Sequence, residues 1–207
     1  RRVSGKFVLI WRADSVTLAS MLLCAERLMF PLLLSLSPLT AAAASGDSTA
    51  TEAHPVTTVS QVDLSRYVGL WYEVAKIPNR FQKQCDHGTT AVYTLRDDGR
   101  IKVLNRCVKK DGSTDEAEGV AKIVDTATNA KLKVSFVSFL GWRPFWGDYW
   151  VIGLDEDYGW AIVGTQDRKY GWVLARTPSL DDATLEEVYA LLERNGYVRS
   201  QFEASRP

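Results

Sequence analysis

Histidine is almost missing from this chain, and with it the commonest acid–base side chain. His54 and His87 are the only two. No Gly-x-Ser-x-Gly elbow, His-Glu-x-x-His pair or glycine-rich phosphate loop is present either. The one thiol close to a histidine is Cys85, two residues before His87. That pair would act only as a reduced thiol of lowered pKa. Three cysteines and two histidines, scattered as they are, do not make a structural zinc site. Long apolar runs are absent too. The stretch 28–39 is interrupted by Pro31 and Pro38 and is shorter than the roughly 20 residues that span a bilayer. Charge of one sign is also lacking, since 25 Lys and Arg balance 25 Asp and Glu. Residues 1–44 hold five of the bases (Arg1, Arg2, Lys6, Arg12, Arg27) against Asp14 and Glu26. The remainder is therefore mildly acidic and offers no basic face for a phosphate backbone. No nucleic acid, metal or organic cofactor is expected.

What is present begins with an address. Arg27, the short apolar stretch 28–39 and the run Thr40-Ala-Ala-Ala-Ala-Ser45 follow the order of a signal peptide. Cleavage is expected near Ala44, with translation starting at Met21 or Met29. An uncleaved anchor is the alternative. Lipid anchoring would have to use Cys24, where bulky Leu23 stands in place of a small residue and the apolar run lies downstream. The reading is therefore an exported chain, periplasmic or secreted, with the outer membrane as a further station. Export leaves Cys85 and Cys107 as an even pair in an oxidising compartment, which favours a disulfide. Residues 45–62, rich in Ser, Thr, Ala and Asp, read as a flexible linker. The folded domain is expected over 63–207.

From residue 62 onward, short alternating segments recur about every ten residues, the spacing of an all-β sandwich or barrel. Strands are expected at 71–77, 89–96, 101–108, 116–124, 131–136, 148–154, 160–165 and 172–177. Asp97-Asp98-Gly99 joins the second to the third, because glycine accepts the positive φ of a tight hairpin. Alternation then assigns faces. Leu132, Val134 and Phe136 point inward, as do Ala91, Tyr93 and Leu95. The sixth and eighth strands are apolar on both faces and need an outer cover. Residues 179–194 supply it as a helix, capped by Ser179 or Asp181, with Leu185, Val188, Tyr189 and Leu192 on one stripe. Asn195-Gly196 ends that helix, and a last short strand at 200–204 can pair with an exposed edge.

These features resemble the lipocalins, most closely the bacterial and apolipoprotein-D-like branch. The likeness covers about Asp63 to Phe202. It is carried by Tyr67-Val-Gly69-Leu-Trp71-Tyr72-Glu73, which matches the family's Gly-x-Trp signature, and by Arg176 within Ala175-Arg-Thr-Pro178 at the end of the eighth strand. Phe81, the Thr94–Gly99 hairpin, Asn105 and the 167–170 turn agree. The turn departs from the two-tyrosine form of many animal members. The resemblance implies an eight-stranded antiparallel up-and-down β-barrel with one C-terminal helix packed outside. Gly69, Trp71 and Arg176 would close one end of it, the guanidinium lying on the indole.

The resemblance further implies a carrier of a small hydrophobic ligand, a fatty acid or lysophospholipid, and not an enzyme. The upper cup is expected to be lined by Tyr93, Phe136, Tyr149 and Trp172, with Trp160 added from a weakly patterned strand, since Tyr and Trp give apolar surface with polar tips. Parity places Glu73 inside with Trp71 and Ala75. A buried carboxylate needs partners, so Glu73 either holds a water or a tyrosine hydroxyl, or binds a ligand group. The aromatic stretch Phe139-Leu-Gly-Trp142-Arg143-Pro-Phe145-Trp146 is expected at the rim. There it would be a portal making peripheral contact with membrane or ligand, or a lid packed on the barrel. Two rival functions stay open: a lipocalin-fold enzyme, and a structural or stress-protective envelope protein without a specific ligand.

Overall fold

Residues 54–207 are described in this computed structural model. The expected signal segment 1–44, with Cys24, and the first part of the linker, 45–53, lie outside the described residues.

A short helix α1 (Leu64–Tyr67) opens the domain, with the Asp63 carboxylate accepting from the Ser65 amide. Eight strands follow: β1 (Gly69–Lys76), β2 (Cys85–Leu95), β3 (Ile101–Lys109), β4 (Thr114–Ile123), β5 (Lys131–Ser135), β6 (Gly147–Leu154), β7 (Trp160–Gly164) and β8 (Gly171–Ala175). Each pairs antiparallel with the next, and β1 pairs with both β8 and β2, so the sheet closes into a barrel. Helix α2 (Asp182–Arg194) and β9 (Glu203–Ala204) complete the chain. Closure removes the exposed edges an open sheet would leave. The order is the up-and-down barrel with one outer helix expected from the sequence.

The inner face carries Trp71, Ala91, Tyr93, Ile101, Val103, Leu132, Val151, Val163 and Leu174 in one buried cluster. The outer cluster lies under α2, where Ile152, Trp160, Ile162 and Val173 meet Val188 and Leu192. The stripe of α2 therefore covers the second apolar face of β6, β7 and β8. Asp181 is its N-cap, accepting from the Thr184 amide.

Two corrections concern the edges of this plan. Residues 54–62 do not run free as a linker: Val56 and Val62 are buried, the Val59 amide donates to the Val151 carbonyl (3.0 Å) and the Val62 amide to that of Thr128 (2.7 Å). Their apolar side chains recur every third residue in a polar stretch, too thinly to register as a period. The last strand is also shorter than expected, because 199–201 forms a 3₁₀ turn and only Glu203–Ala204 pairs. It pairs with Ala75 and Lys76, where β1 and β2 have splayed apart. The Ser205 amide then reaches the Val74 carbonyl, and the Arg206 carbonyl accepts from Gly88. The C-terminus thus fills a gap in the barrel wall.

Candidate functional site

One end of the barrel is sealed. The Arg176 guanidinium carbon stands 3.8 Å from the centre of the Trp71 ring. Its Nη1 donates to the Leu70 carbonyl (2.7 Å), and its Nη2 to those of Arg66 (2.7 Å) and Val68 (3.0 Å). The Trp71 indole donates to the Tyr67 carbonyl at 2.8 Å. A fork of five fixed donors suits this bundle of carbonyls, as an ammonium would not. Burial pushes the guanidinium pKa down. Gly69 runs at φ +98°, and a Cβ there would sit 3.4 Å from the Arg176 Nη1. Gly69, Trp71 and Arg176 thus meet at this end of the barrel.

Above the floor, three tyrosines fill the lower tier. The Tyr149 hydroxyl lies 2.8 Å from that of Tyr67 and donates to that of Tyr93 at 2.9 Å. Burial raises all three pKa values, that of Tyr93 to about 12. The void they line with Leu132 and Val151 measures about 10 Å³, room for about one water. Tyr93 and Tyr149 therefore sit lower than the upper-cup position expected of them. Register explains it: Tyr93 pairs with Gly69, and Tyr149 with Leu132.

At the open end stand Phe136 and Trp172. The Phe136 ring lies so close over Gly119 that a Cβ there would meet it at 2.7 Å, and the ring is partly open to solvent. Trp172 pairs with Lys76, and its indole donates to the Gln82 Oε1 at 3.1 Å. Trp160 is a correction. On β7 it is Ala161 and Val163 that face inward, so Trp160 is buried outside, beneath α2. Every residue of that strand is buried, so no polar alternation marked its faces.

Glu73 is inside, paired with Leu174, but Ala75 is not. A bulge between them turns Ala75 outward, opposite Val173, and brings Lys76 in. Lys76 Nζ lies 2.6 Å from the Glu73 Oε1, which also accepts from the Ser205 hydroxyl at 2.6 Å. The Gln82 amide donates to Oε2 at 2.5 Å. Glu73 is thus held by side chains from β1, the 77–84 loop and the C-terminus. No tyrosine is among these partners, and no spacing in the sequence pointed to them. Beside this network a cleft of about 480 Å³ is lined by Lys76, Arg80, Lys83, Lys110 and Arg206, with the acids Asp86 and Glu203.

Cys85 and Cys107 form the expected disulfide, with Cα atoms 5.5 Å apart. Two register shifts in β2 bring the pair together, so that Thr90 faces Arg106 while Cys85 faces Lys109. Gly88, at φ +63°, sits within that irregular stretch. His87 lies nearby, its Nδ1 3.2 Å from the Asp86 carboxylate.

The aromatic loop 136–146 is at the open rim. Its base is packed: Arg143 donates to the Ser135 carbonyl (2.9 Å), Trp146 to that of Arg143 (2.9 Å), and Lys122 lies over the Trp146 ring at 4.3 Å. Its tip is open, with Phe139, Leu140 and Trp142 exposed by 68, 92 and 67%.

Comparison with known proteins agrees with this geometry. Residues 62–207 match the family model described as a lipocalin-like domain. The chain is 40% identical to the outer membrane lipoprotein Blc of Escherichia coli (strain K12), over 75% of this chain and 85% of that one. It is 36% identical to apolipoprotein D of Macaca fascicularis, over 64% and 70% respectively. Among solved structures, insecticyanin from the tobacco hornworm Manduca sexta superposes with a TM-score of 0.59 at 26% identity, over 73% of this chain and 84% of that one. The outer membrane lipoproteins among these relatives support an exported, envelope-associated location. Barrel, sealed floor and relatives agree: the chain belongs to the lipocalin family, in its bacterial and apolipoprotein-D-like branch.

Proposed function

We propose that this lipocalin is a non-enzymatic carrier that takes up a fatty acid or a lysophospholipid through its open end. The observation that carries the reading is the mouth itself, where an apolar wall and a polar corner meet. Phe136 and Trp172 offer partly open ring surface, and the Glu73–Lys76–Gln82 network begins at the Trp172 indole nitrogen. A ligand with an acyl chain and a polar or anionic head matches that pairing. The filled tyrosine tier below limits the chain's depth, so the tail lies against the upper rings. Lys76 and the basic cleft beside it suit a carboxylate or a phosphate.

Against a Cys85–His87 catalyst, Cys85 is tied to Cys107, and His87 pairs with Asp86 at the surface. A structural protein without a ligand would have no use for partly open aromatic rings beside a charged corner. The test is mass spectrometry of lipid extracted from the purified native protein. A stoichiometric fatty acid or lysophospholipid supports the carrier reading. Native protein free of lipid, together with failure to bind either class, refutes it.

A further inference from the structure

The loop 136–146 ends in a two-residue hairpin. Phe139 and Trp142 exchange both backbone hydrogen bonds at 2.9 Å, and the turn residues Leu140 and Gly141 have φ of +48° and +81°. Gly, Asn or Asp is the usual choice for the first of these positions. Here leucine occupies it, in a backbone region unfavourable to bulky side chains, and is the most exposed large apolar residue among the described residues. With Phe139 and Trp142 it makes a compact apolar knob. The packed base described above holds that knob away from the barrel.

The charges are arranged to match. Loops at the open end carry Arg80, Lys83, Lys110, Arg143, Arg168 and Lys169 against only Asp111 and Asp167. Loops at the sealed end reverse the sign, with Asp125, Asp155, Glu156 and Asp157, while Arg96 and Arg100 are balanced by Asp97 and Asp98. Among the described residues, the loops of the barrel are thus polarised along its axis. The apolar knob lies at the positive end.

We propose that the open mouth docks on an anionic lipid bilayer, with Phe139, Leu140 and Trp142 inserted among the lipid chains and the rim cations set against the headgroups. Apolar insertion and electrostatic attraction add in such binding, and the electrostatic part weakens with salt. A neutral bilayer would take the knob alone, and a protein partner would not call for the charge of the whole rim. The inference goes beyond the carrier reading and holds whether or not the cup is loaded.

The test is co-sedimentation of the purified protein with vesicles of phosphatidylcholine, with and without phosphatidylglycerol. Tighter partitioning onto the anionic vesicles, reduced at least tenfold by Leu140→Asp with Trp142→Ser, is the expected result. Lys169→Glu, at an exposed rim cation that does not line the basic cleft, should reduce the preference for anionic vesicles. Brominated acyl chains should quench the native protein more than Trp142→Phe. Oleate affinity and circular dichroism of each variant report on the cup and the fold, so failed docking is distinguishable from a failed carrier. Equal partitioning of the knob variant, or no preference for anionic vesicles, would overturn the proposal. So would a dimer that Leu140→Asp dissociates, since a second copy would then cover the knob.

Discussion

Glu73 and Lys76 face the same interior from one strand, three residues apart, their charged atoms 2.6 Å from each other. Strict alternation would put them on opposite faces, and the bulge between Glu73 and Ala75 is what unites them. The carboxylate side chain is almost wholly buried, and the lysine is partly so, 19% exposed. Removing one partner leaves a charge that has lost its counter-ion away from water. Lys76→Met should therefore cost about 1–3 kcal/mol of stability. Adding Glu73→Leu should recover part of that loss, because apolar replacements of a buried pair are often close to neutral. Urea denaturation of the two singles and the double reads this directly. Additive losses would mean that the two side chains act independently.

The floor makes a different prediction. Trp71→Ala should cost roughly 3–5 kcal/mol, as deletion of a fully buried large ring does. Arg176→Lys keeps the charge but loses the fork on the Leu70, Arg66 and Val68 carbonyls. It should cost about 1–3 kcal/mol. Neither change should alter lipid affinity in the folded fraction. Lost affinity at an unchanged melting temperature would place these residues in the cup instead.

The Cys85–Cys107 link closes a sequence separation of 22 residues. Chain entropy assigns such a link roughly 3 kcal/mol. Reduction, or Cys85→Ser with Cys107→Ser, should lower stability by about that amount. A thiol titration of the folded protein should find neither residue free.

Alkaline pH should unfold the protein through its tyrosine tier. Burial raises Tyr93 to about 12 and moves Tyr67 and Tyr149 in the same direction. The unfolded chain gives up these protons near the ordinary tyrosine value of about 10, so above it the unfolded state is favoured. Stability from these groups is whole below pH 10 and drains away as pH rises toward 12. Melting curves between pH 8 and 11.5 should show the fall, and Tyr93→Phe should blunt it. A melting temperature flat across that interval would argue that the hydroxyls are solvated.

Most of the barrel was legible because its strands alternate. Leu132 and Val134 against Lys131 and Lys133 show their faces outright, and the stripe of α2 stands out in the same way. The pattern carries no face information where burial has two sides or the register slips. Trp160 sits in a strand buried throughout, so polarity gave no sign of its outward turn. Lys76 and Cys85 owe their positions to bulges, which are properties of backbone pairing and have no residue signature of their own here. Gln82 and Ser205 reach Glu73 from distant parts of the chain, a meeting that only the closed barrel creates. Tyr93 and Tyr149 were correctly turned inward, but their depth depended on strand register against β1 and β5.

The central claim is that the mouth binds an amphipathic lipid against Trp172. It is tested most directly by titrating delipidated protein with oleate and with lysophosphatidylcholine, following tryptophan fluorescence and heat. The account predicts saturable binding of at least one of them near the micromolar range, about 8 kcal/mol, with quenching that Trp172→Phe diminishes. Phe136→Ala with Trp172→Ala should weaken binding at least tenfold, about 1.4 kcal/mol, and leave the β-sheet signal intact. If neither lipid binds below about 100 μM, equivalent to only about 5.5 kcal/mol, the carrier account is contradicted, whatever the barrel looks like.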